Sequence, residues 1–501
     1  MTIDGFLTLL ALVVAVVAVV PTASRRALSL KFGFFERLAI IVSVLIVLFL
    51  EYYDTAKAIF HLRSYGLAQR YNITPQSAAF LVVFFCGSFI SAVVWWKRIP
   101  ARRMVKLQRL IETFVEGGQF AEVVEILSPY IAKIGAVLER RHSQQGRQGD
   151  RQDRNANAPS DIIRALFLLP QMVEFIARSK PYVAIEMMKG DFSEVFDFAK
   201  MYMTALMADP YSILYFEIQQ NQNTSTLSGY EFPSSNGLLY FLCGTAENVR
   251  RLGVSTPVGD FLLTGPASPM KEENRIFFNR EMADFQRNEQ WKHPWFVGIR
   301  LYDLTVTAAL FQNVQWHMEL YDFMHLTEAL LHANDEKAPN INLDAEFPTV
   351  GHYLIYEMFS AMRGWIWNVR YLPADQENIR LENQKFDHEN GNIPKSTIMV
   401  MVICLNKVIT ADNITDRFKR YILRIVLSAY ESTRYKNTSL QKCGYDEMML
   451  NAITAGDFWK DPDVPVYRRK LLQLLPQMDI ALKPEAKTVR DALREAVAEE
   501  G

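Results

Sequence analysis

Between Trp316 and His332 the sequence reads WHMELYDFMHLTEALLH, and five of its side chains could handle protons or a metal: His317, Tyr321, His325, Glu328 and His332. On a single helix, with about 100° between successive residues, they share an arc of roughly 80°. Imidazoles and a carboxylate on one stripe are the groups used in general acid–base catalysis and in zinc binding. The spacing limits what they can do together. His325 and His332 stand about 10 Å apart along a helix axis, whereas the ligands of one zinc ion lie about 2 Å from a shared centre. Only Glu328 with one neighbouring His could share an ion, and another segment would have to complete the set. A packed helix face is the first expectation, a groove for a ligand or partner the second, and a metal or catalytic role the third. No metal and no cofactor are expected.

A second set of ionisable groups lies in VLFLEYYDTAKAIFHL, Val47 to Leu62, where an apolar helix runs on without a Pro or Gly into Glu51, Asp54, Lys57 and His61. These four share an arc of roughly 120°, opposite Tyr53, Ala56 and Phe60. A charge at the bilayer centre costs at least roughly 2.5 to 3.5 kcal/mol, so four of them need water or one another. Two arrangements satisfy this. In one the hydrocarbon region ends near Leu50 and the rest lies on the outer surface. In the other, several chains assemble and turn the stripe inward as the mouth of a water-filled path.

Three apolar segments must position that stripe: Phe6 to Val20, Leu38 to Leu50 and Ala78 to Trp96. A crossing takes roughly 20 residues, so the third is complete and the others draw on their flanks. The first has Asp4 before it and Arg25 and Arg26 after it, the reverse of a signal peptide. Arg25, Arg26, Lys31 and Arg37 lie between the first two segments, and Lys97, Arg98, Arg102, Arg103, Lys106 and Arg109 follow the third. By the positive-inside rule both segments are cytoplasmic, which places the N-terminus outside. The six cations after the third segment would also rest on anionic headgroups, at about 1 kcal/mol each near the surface. Ala11 with Ala15, and Gly87 with Ser91, are small-xxx-small pairs that allow helices to approach, so homo-oligomers are expected beside the lipid bilayer as partners.

Past Lys97 the chain reads as soluble. Its 54 basic and 55 acidic residues give no overall pull towards nucleic acid. Cys86, Cys243, Cys404 and Cys443 are too scattered for a disulfide framework or a zinc ribbon. Residues 97–141 contain a helical hairpin turning at Gly117 and Gly118, with Ile111, Phe114 and Val115 facing Phe120, Val123, Val124 and Leu127. Residues 142–160, HSQQGRQGDRQDRNANAPS, have too little apolar surface to fold and form a linker. Within 161–501, helical periodicity marks Ile162–Ala177, Phe192–Met207, Trp295–Ala333, Gly351–Tyr371, Ser396–Thr410, Asp416–Arg434 and Val466–Leu475. The stretch 221–269 is rich in turn residues and suits one or two short strands or an irregular part. The aromatic groups WKHPW and GWIW read as core before they read as stacking surfaces.

The fold class is therefore mainly α, three N-terminal transmembrane helices followed by a large helical cytosolic domain. Phosphate loops, nucleophile elbows and HExxH are absent from the sequence. In layout, the spans Phe6 to Val20, Leu38 to Leu50 and Ala78 to Trp96 with a motif-free helical body resemble the membrane-anchored effectors of bacterial anti-phage systems, including those paired with retrons. The resemblance implies a body that senses or binds a cytosolic protein or nucleoprotein and spans that assemble to damage the inner membrane. The alternative is a membrane-tethered enzyme with its site near His317 to His332.

Overall fold

The computed structural model of the chain describes residues 31–61, 74–96, 104–128, 169–190, 194–220, 235–282, 289–315, 317–334, 345–381, 392–455, 464–478 and 482–499, with Arg25, Phe285 and residues 341–343. Among them all regular structure is helical. They fall into two compact units, Met1–Phe175 with Gly190–Phe192, and Ile176–Lys189 with Ser193–Gly501.

The first unit contains an apolar helix pair. Helix α1, Phe34–Glu51, is followed after Tyr52 by α2, Tyr53–Phe60, and then α3, Pro75–Trp96. Helical hydrogen bonding continues through Tyr52, whose N–H reaches the Leu48 carbonyl at 3.1 Å and whose carbonyl takes the Ala56 N–H at 2.9 Å. α2 ends at His61, whose φ of 50° is left-handed. α3 starts with Thr74 accepting the Ser77 N–H and Pro75 at the first helical position, where its missing N–H costs nothing.

α1 packs on α3 through a small seam of Val47, Leu50 and Ala79, with Ala78, Val82 and Val83 beside it. The other faces remain apolar and uncovered, with Phe35 at 80% exposure and Phe85 at 67%. Two described helices have the length and composition to cross a membrane, Pro75–Val93 within α3 and Ile393–Thr410. α1 is shorter in its apolar part, since Glu36, Arg37 and Glu51 lie within it. The three-span expectation thus reduces to one full-length apolar helix and one shorter partner, and Phe6 to Val20 lies outside the described residues.

After α3 come α4, Met104–Glu116, and α5, Phe120–Leu127. Gly118 turns between them at φ 67°, a conformation that favours glycine. Leu107, Ile111 and Phe114 are buried, as are Val123, Val124 and Leu127, while Val115 and Phe120 are half-buried. The linker at 142–160 lies outside the described residues.

The second unit is an all-helical body. It runs through α6, Pro170–Ser179, whose first turns belong to the other unit, then α7, Pro181–Met188, α8, Val195–Ala208, and α9, Ile213–Gln220. The segment read as irregular holds three short helices, α10, Gly237–Gly244, α11, Glu247–Leu252, and α12, Ser255–Leu263. GLLYFLCG is thus helical. Its Leu238, Leu239, Leu242 and Cys243 are buried, a helical rather than an alternating pattern. After α13, Glu272–Phe278, comes the centre of the unit: α14, Pro294–Phe311, α15, Glu319–Ala333, α16, Val350–Val369, α17, Ile393–Thr410, and α18, Asp416–Thr433. α19, Ser439–Lys442, α20, Tyr445–Ala455, α21, Val464–Leu474, and α22, Lys483–Glu499, complete it.

α15 packs on α17, α14 on α16, and α16 on α18. Side chains of Thr349, Asn392 and Thr415 accept N–H groups at the starts of α16, α17 and α18, which otherwise lack partners. α17 passes the length and composition test for a membrane crossing, but 83% of that window is buried within the body. It is a core helix.

Candidate functional site

The helix expected over Trp295–Ala333 is two helices, broken between Phe311 and Glu319. Asn313 sits at φ 59° and the Val314 N–H returns to the Ala309 carbonyl at 3.0 Å, a left-handed helix ending without glycine. Gln312 fastens the break by accepting the Ala246 N–H at 2.7 Å and donating to the Cys243 carbonyl at 2.6 Å. Because of this break the five residues do not share one helix.

His317 precedes α15 and is buried, with Nδ1 against the Glu319 carboxylate, and its Nε2 has no hydrogen-bond partner among the described residues. Tyr321 exchanges a hydrogen bond with Ser396 of α17 at 2.9 Å. His325, Glu328 and His332 are exposed. Glu328 accepts from Lys407 Nζ at 2.7 Å and stands 3.9 Å from His332 Nε2. The Lys407 hydrogen bond, with lesser help from His332 and His325, holds the Glu328 carboxyl below its usual range. A carboxylate so held is a poor proton donor at neutral pH. The stripe therefore runs from the interior to solvent without converging, and no three His, Cys, Asp or Glu among the described residues are placed to hold a metal.

The polar stripe of the first unit is placed differently. Glu51 ends α1 half-buried, while Asp54, Lys57 and His61 face outward on and after α2. Tyr53, on the opposite side, is buried and meets Phe49 edge-on at 6.0 Å. Ala56 is half-buried but Phe60 is 70% exposed, so the apolar side of α2 is only partly covered. Of the basic cluster, Lys106 and Arg109 lie exposed on α4, while Lys97, Arg98, Arg102 and Arg103 lie outside the described residues.

Groups that the sequence reading passed over form two partly buried polar sets in the body. In the first, Asp322 of α15 meets Tyr302 of α14 at 2.9 Å. In the second, Arg300 bridges two carboxylates, Glu357 at 3.1 Å and Asp303 at 3.4 Å, and Asp303 also accepts from Trp365 Nε1 at 2.9 Å. Burial raises the carboxyls of Asp303 and Glu357, with Arg300 pulling both the other way. The sequence did hold a signal for the first set. Glu319 and Asp322 are three apart, hence on one helical face, in a stretch that also carries the apolar Leu320, Phe323 and Met324. One tryptophan of each aromatic group serves the core: Trp295 is fully buried and donates to the Ala267 carbonyl at 2.9 Å, and Trp365 is equally enclosed, while Trp291 is half-buried and Trp367 is exposed.

Compared with known proteins, the chain matches no family model, no curated protein and no solved structure at a significant level.

Proposed function

We propose that this is a membrane-bound interaction protein: its apolar helices lie in a bilayer, its helical body binds a cytosolic protein or nucleoprotein, and several copies assemble to perturb the membrane. One observation carries the reading. α1 and α3 bury only a thin seam against each other and leave phenylalanines and aliphatic side chains outward along both helices, which water penalises and lipid does not. The ionisable groups Glu51, Asp54, Lys57 and His61 come where the apolar run ends, where a headgroup region or a shared aqueous path would receive them. The expected orientation, N-terminus outside, rests on the Lys and Arg asymmetry, and a bacterial inner membrane as its location rests on the resemblance in layout. The defence role, as an effector that arrests the infected cell, rests on the layout.

The enzyme alternative is weakened by the geometry of α15, where Glu328 is already paired with Lys407 and His317 with Glu319. The decisive experiment is fractionation of cells expressing the full chain, followed by an alkaline carbonate wash. Retention in the membrane pellet supports the proposal, and release into the wash removes it. A membrane-impermeant dye then tests perturbation: dye entry on triggered expression supports assembly, and its absence under every trigger leaves an anchored protein without a pore.

A further inference from the structure

Three backbone or side-chain groups meet where α12, α14 and α15 pack together. Tyr302, fully buried on α14, places its hydroxyl oxygen 2.9 Å from the Ser255 carbonyl of α12 and 2.9 Å from Asp322 Oδ2 of α15. Gly259 allows this approach, since a Cβ there would come within 3.2 Å of Asp322 Oδ2 and 3.4 Å of the hydroxyl. A side chain at position 259 would press on the Asp322 carboxylate and touch the hydroxyl.

The number of available protons decides how these contacts work. A phenol carries one hydrogen, and two acceptors stand within bonding distance of it. With Asp322 ionised, Tyr302 can donate to only one of them, and the other contact becomes two oxygens with no proton between. With Asp322 protonated, its acid O–H donates to the phenol oxygen while the phenol donates to Ser255, and both contacts are hydrogen bonds.

The neighbouring charges favour the protonated form. Glu319, one turn earlier on α15, and Asp260 on α12 both face Asp322 with like charge. Lys200 of α8 lies 3.3 Å from Asp260 and is paired there, and His317 is paired with Glu319. Burial first, then Glu319 and Asp260, push the Asp322 carboxyl up to about 7, against the opposing hydrogen bond from Tyr302. Burial also lifts the Tyr302 phenol well above its ordinary value, so it keeps its proton.

We propose that these residues form a proton-operated latch, in which a neutral Asp322 fastens α15 to α12 through Tyr302 and an ionised Asp322 lets α12 open. The inference stands independently of the membrane reading.

Linkage fixes the sign. The closed state holds the Asp322 proton more tightly than the open state, where the carboxyl returns towards its ordinary 3.8. Opening is therefore favoured as pH rises from about 4, by up to about tenfold per pH unit, and levels off above about 7. The test is hydrogen exchange in the purified full chain, following the peptide that covers residues 255–263 and correcting for the intrinsic rate. In the wild type, protection should fall between pH 5 and 7 and then level. Asp322→Asn keeps a neutral donor at the same place, and Asp322→Leu removes the titrating group. Protection in whichever of these folds should be independent of pH over the same range. A fall of equal steepness in the variant overturns the latch, and so does a wild type whose protection does not change.

Discussion

Lys407 of α17 reaches across to Glu328 of α15 and donates to its carboxylate at 2.7 Å, so the residue best placed by sequence to do acid–base work is tied into a surface ion pair. Both partners are partly in solvent, Glu328 at 47% and Lys407 at 33% exposure. Exposed pairs of this kind contribute about 0 to 1 kcal/mol. Glu328→Ala should therefore lower the denaturation midpoint slightly and leave the cellular phenotype intact. A folded, membrane-inserted variant that has lost all activity would restore the enzyme reading.

Glu217 of α9 has a larger structural task. It is fully buried, and its two carboxylate oxygens accept the N–H groups of Leu238, at 3.1 Å, and Leu239, at 2.8 Å, in the first turn of α10, where Asn236 supplies no side-chain cap. Glu217→Ala leaves two buried donors without partners, at about 1 to 3 kcal/mol each. Chemical denaturation of the full chain should show a loss of about 2 kcal/mol or more. A midpoint equal to wild type would mean that water replaces the carboxylate.

His293 gives the body an acid sensitivity. It stacks on Phe277 at 4.1 Å and accepts the Trp295 N–H at the start of α14, and burial, helped by Arg280, lowers it to about 3. The folded state then refuses a proton that the unfolded chain accepts from its ordinary 6.5 downward. The stabilisation is complete above about 6.5 and is lost as pH falls towards 3. Raised carboxyls such as Asp303 and Glu357 slope the other way, so the comparison must be with a variant. His293→Asn keeps a capping oxygen, and its melting temperature should fall less than that of wild type between pH 6.5 and 4. Parallel curves would exclude His293 as the source.

In the first unit, Glu51 and Asp54 should act only if they face water in an assembly. Replacing both with Leu should leave insertion intact, or ease it, and suppress dye entry in cells expressing the triggered protein. Equal dye entry in the two would make the stripe a surface helix.

Helices with caps and strong periodicity were readable in advance. α18 begins at the expected Asp416, and α17 begins at Ile393, three residues before the expected Ser396. The break at Asn313 was not readable, because LFQNVQ contains neither Gly nor Pro and its helix ending depends on Gln312 reaching α10 and α11 through distant backbone groups. Turn-type residues in 221–269 suited one or two short strands or an irregular part, yet residues 237–263 form three short helices whose tertiary packing outweighs local propensity. The candidate site was half legible. Glu328 and the histidines showed themselves by type, while the pairing of Asp322 with Tyr302 joins positions twenty residues apart across the unforeseen break.

α17 has a consequence for how the chain is made. Its apolar window would suit a translocon as well as a core, and it leaves the ribosome while α18, α20 and α21, which later cover it alongside α15 and α16, are still unsynthesised. For that interval the segment resembles a stop-transfer sequence. Lys395, Asn406 and Lys407 set polar groups near both of its ends, which raises the cost of lateral insertion. The helices made earlier, α15 and α16, offer it the first dry surface, so prompt docking on them decides whether this stretch enters the body or the bilayer.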